Sequence, residues 1–423
     1  MNIVNFIVDD ILREPAIFLG LIALFGLLIQ RKEFTEIISG TVKTIVGVVI
    51  LQQGTGIIVN SILPLAAAFN ILYEIPADQA FTPMGADAFI AEFGSQIGLV
   101  MLFAFVINLI VARFTKLKNV FLTGHMLFWF PFIFIAVAVD AGMTGNGVLI
   151  FATIMTSLYI IISPALIRPL VKKATRTDTF TLGHPTIGLS LIAAYVARFT
   201  GNKKKSTEDI KFPKQLEFLR EITITSSLVI FIVYGIMGLL LGGDASEAFG
   251  GGNLFTFSLM QGILFGAGLT IMLMGVRMML AEIIPAFKGI SDKIIPNAVP
   301  ALDFPIIFPY APNAVLIGFI VSMITSTIAL VLIGTTGMFA FVILPLTITC
   351  FFEIGTAGVF ANAEGGLRGA IIGTAVAGVV MIFLVGFSLP FFADTVSDWI
   401  LVFGGNDFSL WGIVSGWIAG LFG

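Results

Sequence analysis

The feature that most constrains this chain is a succession of long apolar runs separated by short polar breaks. Phe, Ile, Val and Leu fill these runs, and only 11% of the residues are charged, against ~25% in a soluble domain. Water could not solvate such a surface all round. Apolar spans fall near 15–30, 44–70, 97–112, 120–139, 148–167, 222–242, 256–287, 313–333, 338–352, 369–391 and 399–423, with lengths that straddle the ~20 residues a helix needs to cross the hydrocarbon. Lipid leaves only helices or closed barrels able to satisfy their backbone, and the strict alternation of a barrel is absent. The predicted fold class is therefore an all-α polytopic membrane protein with about 11 transmembrane helices plus re-entrant or broken segments.

Charge between the spans sets the expected orientation. Basic clusters occur at Arg31-Lys32, Arg113/Lys116/Lys118, Arg168 to Arg176, Arg198 to Arg220 and Lys288/Lys293. Acidic stretches without Lys or Arg lie between them, at Glu74 to Glu92, Asp140 to Asn146 and Asp244 to Asn253. By the positive-inside rule the basic loops are cytoplasmic and the N-terminus is outside. Asp9, Asp10 and Glu14 stand where a secretory signal would be basic, so no signal peptide is expected. The net charge of −3 points to no nucleic-acid partner.

Two stretches break the helical pattern. Residues 179–197 (TFTLGHPTIGLSLIAAYVA) have basic clusters on both sides, which predicts a re-entrant hairpin, tolerated only when buried in protein or lining a cavity. Residues 296–312 carry Pro296, Pro300, Pro305, Pro309 and Pro312 around Asp303, so no continuous helix survives there. An internal repeat is also visible. Ile50 to Gly54 followed by Ile62-Leu63-Pro64 matches Ile271 to Gly275 followed by Ile283-Ile284-Pro285. Phe180 to Gly183 echoes Phe352 to Gly355. The chain is expected to divide into a first membrane half, 1–200, a basic cytoplasmic loop, 201–221, and a second membrane half, 222–423. Broken helices in a two-half repeat mark a midplane binding site.

Polar residues in such a chain are costly and rarely idle. Both histidines, His125 and His184, follow a glycine that lets backbone approach a ligand. Asp303 offers a carboxylate to solute hydroxyls, and Glu353 is read as the repeat counterpart of the position before Leu182-Gly183-His184. Gln52, Gln53 and Thr55 are directional, uncharged groups suited to a polyhydroxylated ligand. Arg277 and Glu282 share a helix and could neutralise one another, Asp303 could pair with Lys293, and Cys350 sits in an apolar run as a small hydrophobe. No phosphate loop, catalytic triad or metal spacing is present. No cofactor or metal is expected, and the chain is not expected to be catalytic alone.

The run Gly40 to Gly54 (GTVKTIVGVVILQQG) resembles the first block of the ascorbate-type IIC components of the bacterial phosphotransferase system. So do Leu122 to His125, Gly275-Val-Arg-Met278 with Ala281-Glu282, Phe287 to Ser291, Ala311 to Val315, and Gly358 to Asn362 with Gly365, Gly366 and Arg368. The resemblance implies a homodimer in the bacterial inner membrane, with a scaffold and a mobile core that moves elevator-fashion. It also implies that a separate phospho-IIB protein, recharged by IIA, phosphorylates the incoming solute. Carried over by motif, the solute site would comprise Gln52, Gly54, Thr55, Thr82, His125, His184 and Asp303. The donor would be a cysteine on IIB rather than Cys350, with Asp303 or a histidine as base for the attacking hydroxyl. The chain ends soon after its last span, so IIA and IIB are expected on other proteins.

The pattern departs from the ascorbate carriers at two positions. Trp129 stands four residues after the first histidine and Pro185 directly after the second, where those carriers have Gln. Two directional amides are lost, and Trp129 offers a ring face for stacking a sugar. The predicted solute is accordingly an ascorbate-like sugar acid, a sugar or a polyol. The rival reading is an ion-coupled secondary transporter that leaves its solute unmodified.

Overall fold

The computed structural model describes residues 14–72, 83–210, 221–245, 253–336 and 346–422, with the single positions 215, 218, 249, 251, 338 and 339. In chain order the helices are α1 (Pro15–Ile29), α2 (Phe34–Leu72), α3 (Ala86–Phe114), α4 (Gly124–Asp140), α5 (Asn146–Thr175), α6 (Ile187–Thr200), α7 (Ile222–Leu241), α8 (Leu254–Lys293), α9 (Pro312–Thr336), α10 (Gly355–Ser388), α11 (Ser397–Phe403) and α12 (Asp407–Ala419). Among the described residues three short strands interrupt them: β1 (Asn119–Phe121), β2 (Thr181–Leu182) and β3 (Val299–Leu302). Among the described residues, seven helical stretches are long and apolar enough to cross a membrane. The protein is a polytopic, all-α membrane protein. The span expected at 338–352 falls partly outside the described residues, and the one expected at 399–423 is broken into α11 and α12.

The helices gather into two groups. In the first, α1 and α7 pack beside the long pair α2 and α8. These two run antiparallel with almost no side chain between them. A Cβ on Gly54 would lie 2.3 Å from the backbone nitrogen of Met272, and one on Gly275 would lie 2.4 Å from that of Leu51. Only glycine permits so close an approach. The contact is also symmetric: Leu51 and Met272 are separated by the same 221 positions as Gly54 and Gly275.

The second group holds the strands. Here α6 and α9 flank α10, while α3, α4 and α5 pack together and α12 lies on α4. Gly366, with φ of +62°, turns α10 back on itself, so residues 355–365 and 367–388 form two helices. The 221-residue offset carries through this group as well, setting α6 against α12. At that register Gly183 corresponds to Gly404 and not to Gly355. The echo between Phe180–Gly183 and Phe352–Gly355 therefore joins unlike elements: the first follows into β2 and α6, the second is a π-helical turn (Cys350–Ile354) that opens α10.

The stretch 179–197 returns to the side it left. Before it, Lys173 pairs with Glu364 at 2.6 Å. After it, the Asn202 amide donates to the carbonyl of Gly365 at 2.7 Å. Both flanks thus meet the same turn of α10. At ~1.5 Å per residue, α6 is about 21 Å long, too short for a ~30 Å hydrocarbon core. Beside it, hydrogen bonding from Arg168 holds the Asp178 carboxyl below its ordinary range. The hairpin α11–α12 is its counterpart, with Gly412 and Gly416 packed on Phe392 and Phe391 next to where the hairpin began.

Helix α7, with 20 residues, separates the basic loop from the acidic one. Single cysteines at Lys204 and Asp244 should therefore react with an impermeant thiol reagent from opposite faces of sealed vesicles. Labelling from one face would reject this topology.

Candidate functional site

Each of the three strands leads, within four residues of its end, to a polar residue that the sequence marks. They form a parallel sheet in the order β1-β3-β2, with Phe121 opposite Ala301 and Leu182 opposite Leu302. Beyond β1 the chain runs through Thr123 and Gly124 to His125, in the first turn of α4. Beyond β2 it passes Gly183 to His184. β3 leads straight into Asp303, which caps a 3-10 helix (Phe304–Tyr310) by accepting from the Phe304 amide at 2.8 Å. Five prolines exclude an α-helix here, so this stretch pairs as a strand and closes as a 3-10 turn.

His125 Nε2 lies 3.6 Å from Asp303 Oδ2, and His184 Nε2 lies 3.7 Å from Oδ1. These separations are too long for hydrogen bonds. The three groups surround a common point without saturating one another. His125 is the most open of them, with 37% of its side chain exposed. His184 is buried, its ring 4.3 Å from that of Phe304, and its Nδ1 has no partner among the described residues. Two imidazoles and a carboxylate with ligand atoms within 4.8 Å also form a donor set suited to a divalent cation. Sequence spacing could not reveal this, because the donors come from three distant segments.

A cavity of about 40 Å³ opens beside His125 and Asp303. Its far wall belongs to the other helix group: Leu19, Val48, Leu51, Gln52 and Met279. Gln52 thus faces the site across the seam between the two groups. Thr55 lies one turn further along α2, and its buried hydroxyl has no partner among the described residues. Gly54 is packed against the backbone of α8 rather than lining the cavity. Thr82 lies outside the described residues. Trp129 is half-buried, and its ring already lies against that of Trp399, with centroids 4.9 Å apart and planes tilted by 31°.

Glu353 is buried in the π-helical turn. Its Oε1 accepts from Asn406 Nδ2 at 3.0 Å, and its backbone carbonyl accepts from the Thr186 hydroxyl at 2.8 Å. Sequence reasoning missed the pair Asn406-Asp407, which does much of the positioning. The Asp407 carboxylate accepts from the Tyr159 hydroxyl at 2.8 Å, from the Gly188 amide at 2.7 Å and from the Ile187 amide at 3.2 Å. Its own amide donates to the carbonyl of Pro185 at 2.9 Å. The tips of the two hairpins are thus bonded to each other, and the turn that carries His184 is held at both ends. The signal was present as Gly404-Gly405-Asn406-Asp407, an acid after a double-glycine break inside an apolar run.

Two expected ion pairs are replaced by others. Glu282 pairs with Lys43 on the neighbouring helix at 3.3 Å, leaving Arg277 exposed. Five residues apart on one helix, Arg277 and Glu282 point away from each other. Lys293 donates to the carbonyl of Ile29 and not to Asp303.

The family model described as the sugar-specific permease component of PTS systems, EIIC-GAT, matches residues 10–407. An ascorbate-specific PTS system EIIC component from Mycoplasma pneumoniae is 27% identical across 90% of this chain. The chain covers 66% of that relative's length. With a membrane-buried cluster of polar side chains and a family match along most of its length, the chain belongs to the EIIC-GAT family of PTS sugar-specific permease components.

Proposed function

We propose that this protein is the membrane-translocating IIC component of a sugar phosphotransferase complex in the bacterial inner membrane. It would take up an ascorbate-like sugar acid, a sugar or a polyol. The observation that carries this reading is the convergence of His125, His184 and Asp303 at the ends of three strands, opposite Gln52. A carboxylate accepts from solute hydroxyls, while imidazole and amide groups both donate and accept. The relative from M. pneumoniae is named as ascorbate-specific; Trp129 and Pro185 argue for a different hydroxyl pattern here.

The cavity of about 40 Å³ has room for a single water at ~30 Å³, whereas small-molecule sites occupy ~300–1,000 Å³. Solute must therefore enter with the walls apart. The walls belong to different helix groups, which supports an elevator mechanism with α1, α2, α7 and α8 as scaffold and the strand-bearing group as moving core. The repeated offset of 221 residues and the antiparallel α2–α8 contact support two inverted repeat halves joined by the basic loop 201–221. A homodimer built on the scaffold and phosphorylation by a separate IIB complete the reading. The site's clustered cation ligands favour one rival, an ion-coupled transporter.

Vesicles containing the protein should accumulate solute only as its phosphate, and only with a matching phospho-IIB inside. Accumulation of free solute on an ion gradient alone would establish the rival. At the site, Asp303→Asn keeps the size but removes the charge. It should fold and lose solute binding by at least ~10-fold, about 1.4 kcal/mol. Normal binding with a much lower melting temperature would instead make Asp303 structural. Asp407→Asn replaces one acceptor oxygen by a donor, which faces the Gly188 N–H in place of Oδ1 or the Ile187 N–H in place of Oδ2. It should weaken solute binding by a similar ~10-fold without touching the solute. Unchanged binding in a folded Asp407→Asn protein would remove Asp407 as the residue that positions His184.

A further inference from the structure

Sharing no lining residue with the solute site, and on the side that bears the basic clusters, a cavity of about 390 Å³ opens against α10. Lys204, Lys205 and Arg368 stand around it, and Leu367, Ile371 and Ile372 make its apolar wall. Among the described residues, none of the three cations has a carboxylate within ion-pair distance. Neighbouring basic residues are not so free: Arg168 and Lys172 are paired with Asp178, and Lys173 with Glu364.

The mouth is a built feature. The Leu367 amide donates to the carbonyl of Lys205 at 2.7 Å, as the Asn202 amide does to that of Gly365. Gly366 lies in the left-handed region at φ +62°, and a Cβ there would fall 2.3 Å from the Lys205 carbonyl oxygen. The loop is further tied down by the Thr207 amide, which donates to the Asn362 side chain at 2.9 Å. Lys204 and Lys205 are therefore carried on backbone locked to the turn that carries Arg368.

Below this mouth the apolar wall continues. Ile371 is 41% exposed, Val379 and Phe383 are half-buried, and Phe387 is 53% exposed. Followed through Ala375 in steps of four, they form an apolar stripe that winds by ~160° around the helix between Ile371 and Phe387. From Ile371 to Phe387 that stripe rises ~24 Å along the helix axis at 1.5 Å per residue, more than the ~15 Å depth of one leaflet.

We propose that this cavity is a binding site for an anionic glycerophospholipid. Its phosphate would lie among Lys204, Lys205 and Arg368, and an acyl chain would lie against Leu367, Ile371 and Ile372 and follow the apolar stripe that winds from there. A phosphate among cations without a carboxylate partner among the described residues and an acyl chain against apolar side chains match the two halves of the cavity at once. Basic pockets at the cytoplasmic ends of transmembrane helices hold lipid headgroups by the same chemistry. A soluble phosphate would use the mouth and leave the apolar wall uncovered. An acidic protein surface would likewise have no use for a wall that descends into the hydrocarbon.

The test uses the full-length protein, purified in a neutral detergent and offered dioleoylphosphatidylglycerol or dioleoylphosphatidylcholine at equal amounts. Native mass spectrometry counts the retained lipid, and the melting temperature is followed in parallel. Wild-type protein should retain the phosphatidylglycerol at least ~10-fold better. The variant K204Q/K205Q/R368Q should keep the wild-type melting temperature in the neutral detergent and lose the preference to within ~2-fold. Arg368→Lys, which keeps the charge, should retain it and guards against misfolding of the triple variant. Inorganic phosphate in large excess should not displace the lipid. Displacement by phosphate would make this a soluble-anion site and overturn the proposal, as would an unchanged preference in the triple variant. Undiminished lipid retention with lost binding of phospho-IIB would assign the basic mouth to that protein instead. None of these readouts depends on which solute is carried.

Discussion

A β-strand inside a membrane protein is tolerated only if every backbone N–H and C=O finds a partner without water. The geometry of the candidate site follows from how this chain meets that demand. β3 is satisfied on both sides, because β1 and β2 flank it in parallel. The outer edge of β1 is met by one side chain: Asn108, buried on α3, accepts from the Phe121 amide at 2.9 Å and donates to the Asn119 carbonyl at 3.1 Å. On the β2 side the Thr181 hydroxyl donates to the Pro164 carbonyl, and the Tyr159 hydroxyl lies 3.0 Å from the His184 carbonyl. A parallel sheet whose edges are closed by side chains has no freedom to slip. The residues at its ends, His125, His184 and Asp303, are therefore fixed relative to one another.

The same closure explains why the second hairpin matters to a site it does not line. Helix α6 begins immediately after the turn that carries His184, and its first amides need acceptors at membrane depth. Asp407 supplies them, with Tyr159 satisfying the rest of the carboxylate. Glu353 and Asn406 extend the network to the turn before α10. Buried polar networks of this kind rigidify only when nearly complete. Here one atom is left over: Glu353 Oε2 has no partner among the described residues.

Much of this arrangement was legible in the sequence, and the missing parts have physical reasons. Both Gly-His breaks and the five-proline stretch around Asp303 named the three central residues, because charge and irregular backbone at membrane depth are both expensive. Each strand follows a basic cluster, at Lys118, Arg176 and Lys293. All three segments thus enter from one side, which is what makes the sheet parallel, yet a two- to four-residue strand carries no periodicity of its own. Contacts between distant segments were invisible for the same reason. Trp129 was legible as a free stacking face but meets Trp399, 270 positions away. Glu282 was legible beside Arg277 but pairs across helices with Lys43. The echo that makes Glu353 the counterpart of the position before Leu182-Gly183-His184 joins unlike elements, a strand and a π-helical turn. Glu353 does touch the histidine-bearing turn, through Thr186, for a reason unrelated to the repeat.

The division of labour across the cavity bears on how a solute could cross. Nearly all the polar chemistry, His125, His184, Asp303 and the Thr123 hydroxyl, sits on one helix group and is locked to itself by the sheet. The opposite wall offers Gln52 among Leu19, Val48, Leu51 and Met279. A hinge that split the site would have to break parallel backbone hydrogen bonds in a medium without water to replace them, at a cost of several kcal/mol for each group left bare. Sliding the whole polar group along a mainly apolar wall breaks none of them. It exchanges one set of dispersion contacts for another, with the glycine-tight α2–α8 pair as a stiff surface to slide against. On the elevator reading proposed above, the sheet that fixes the site would also carry it as a unit.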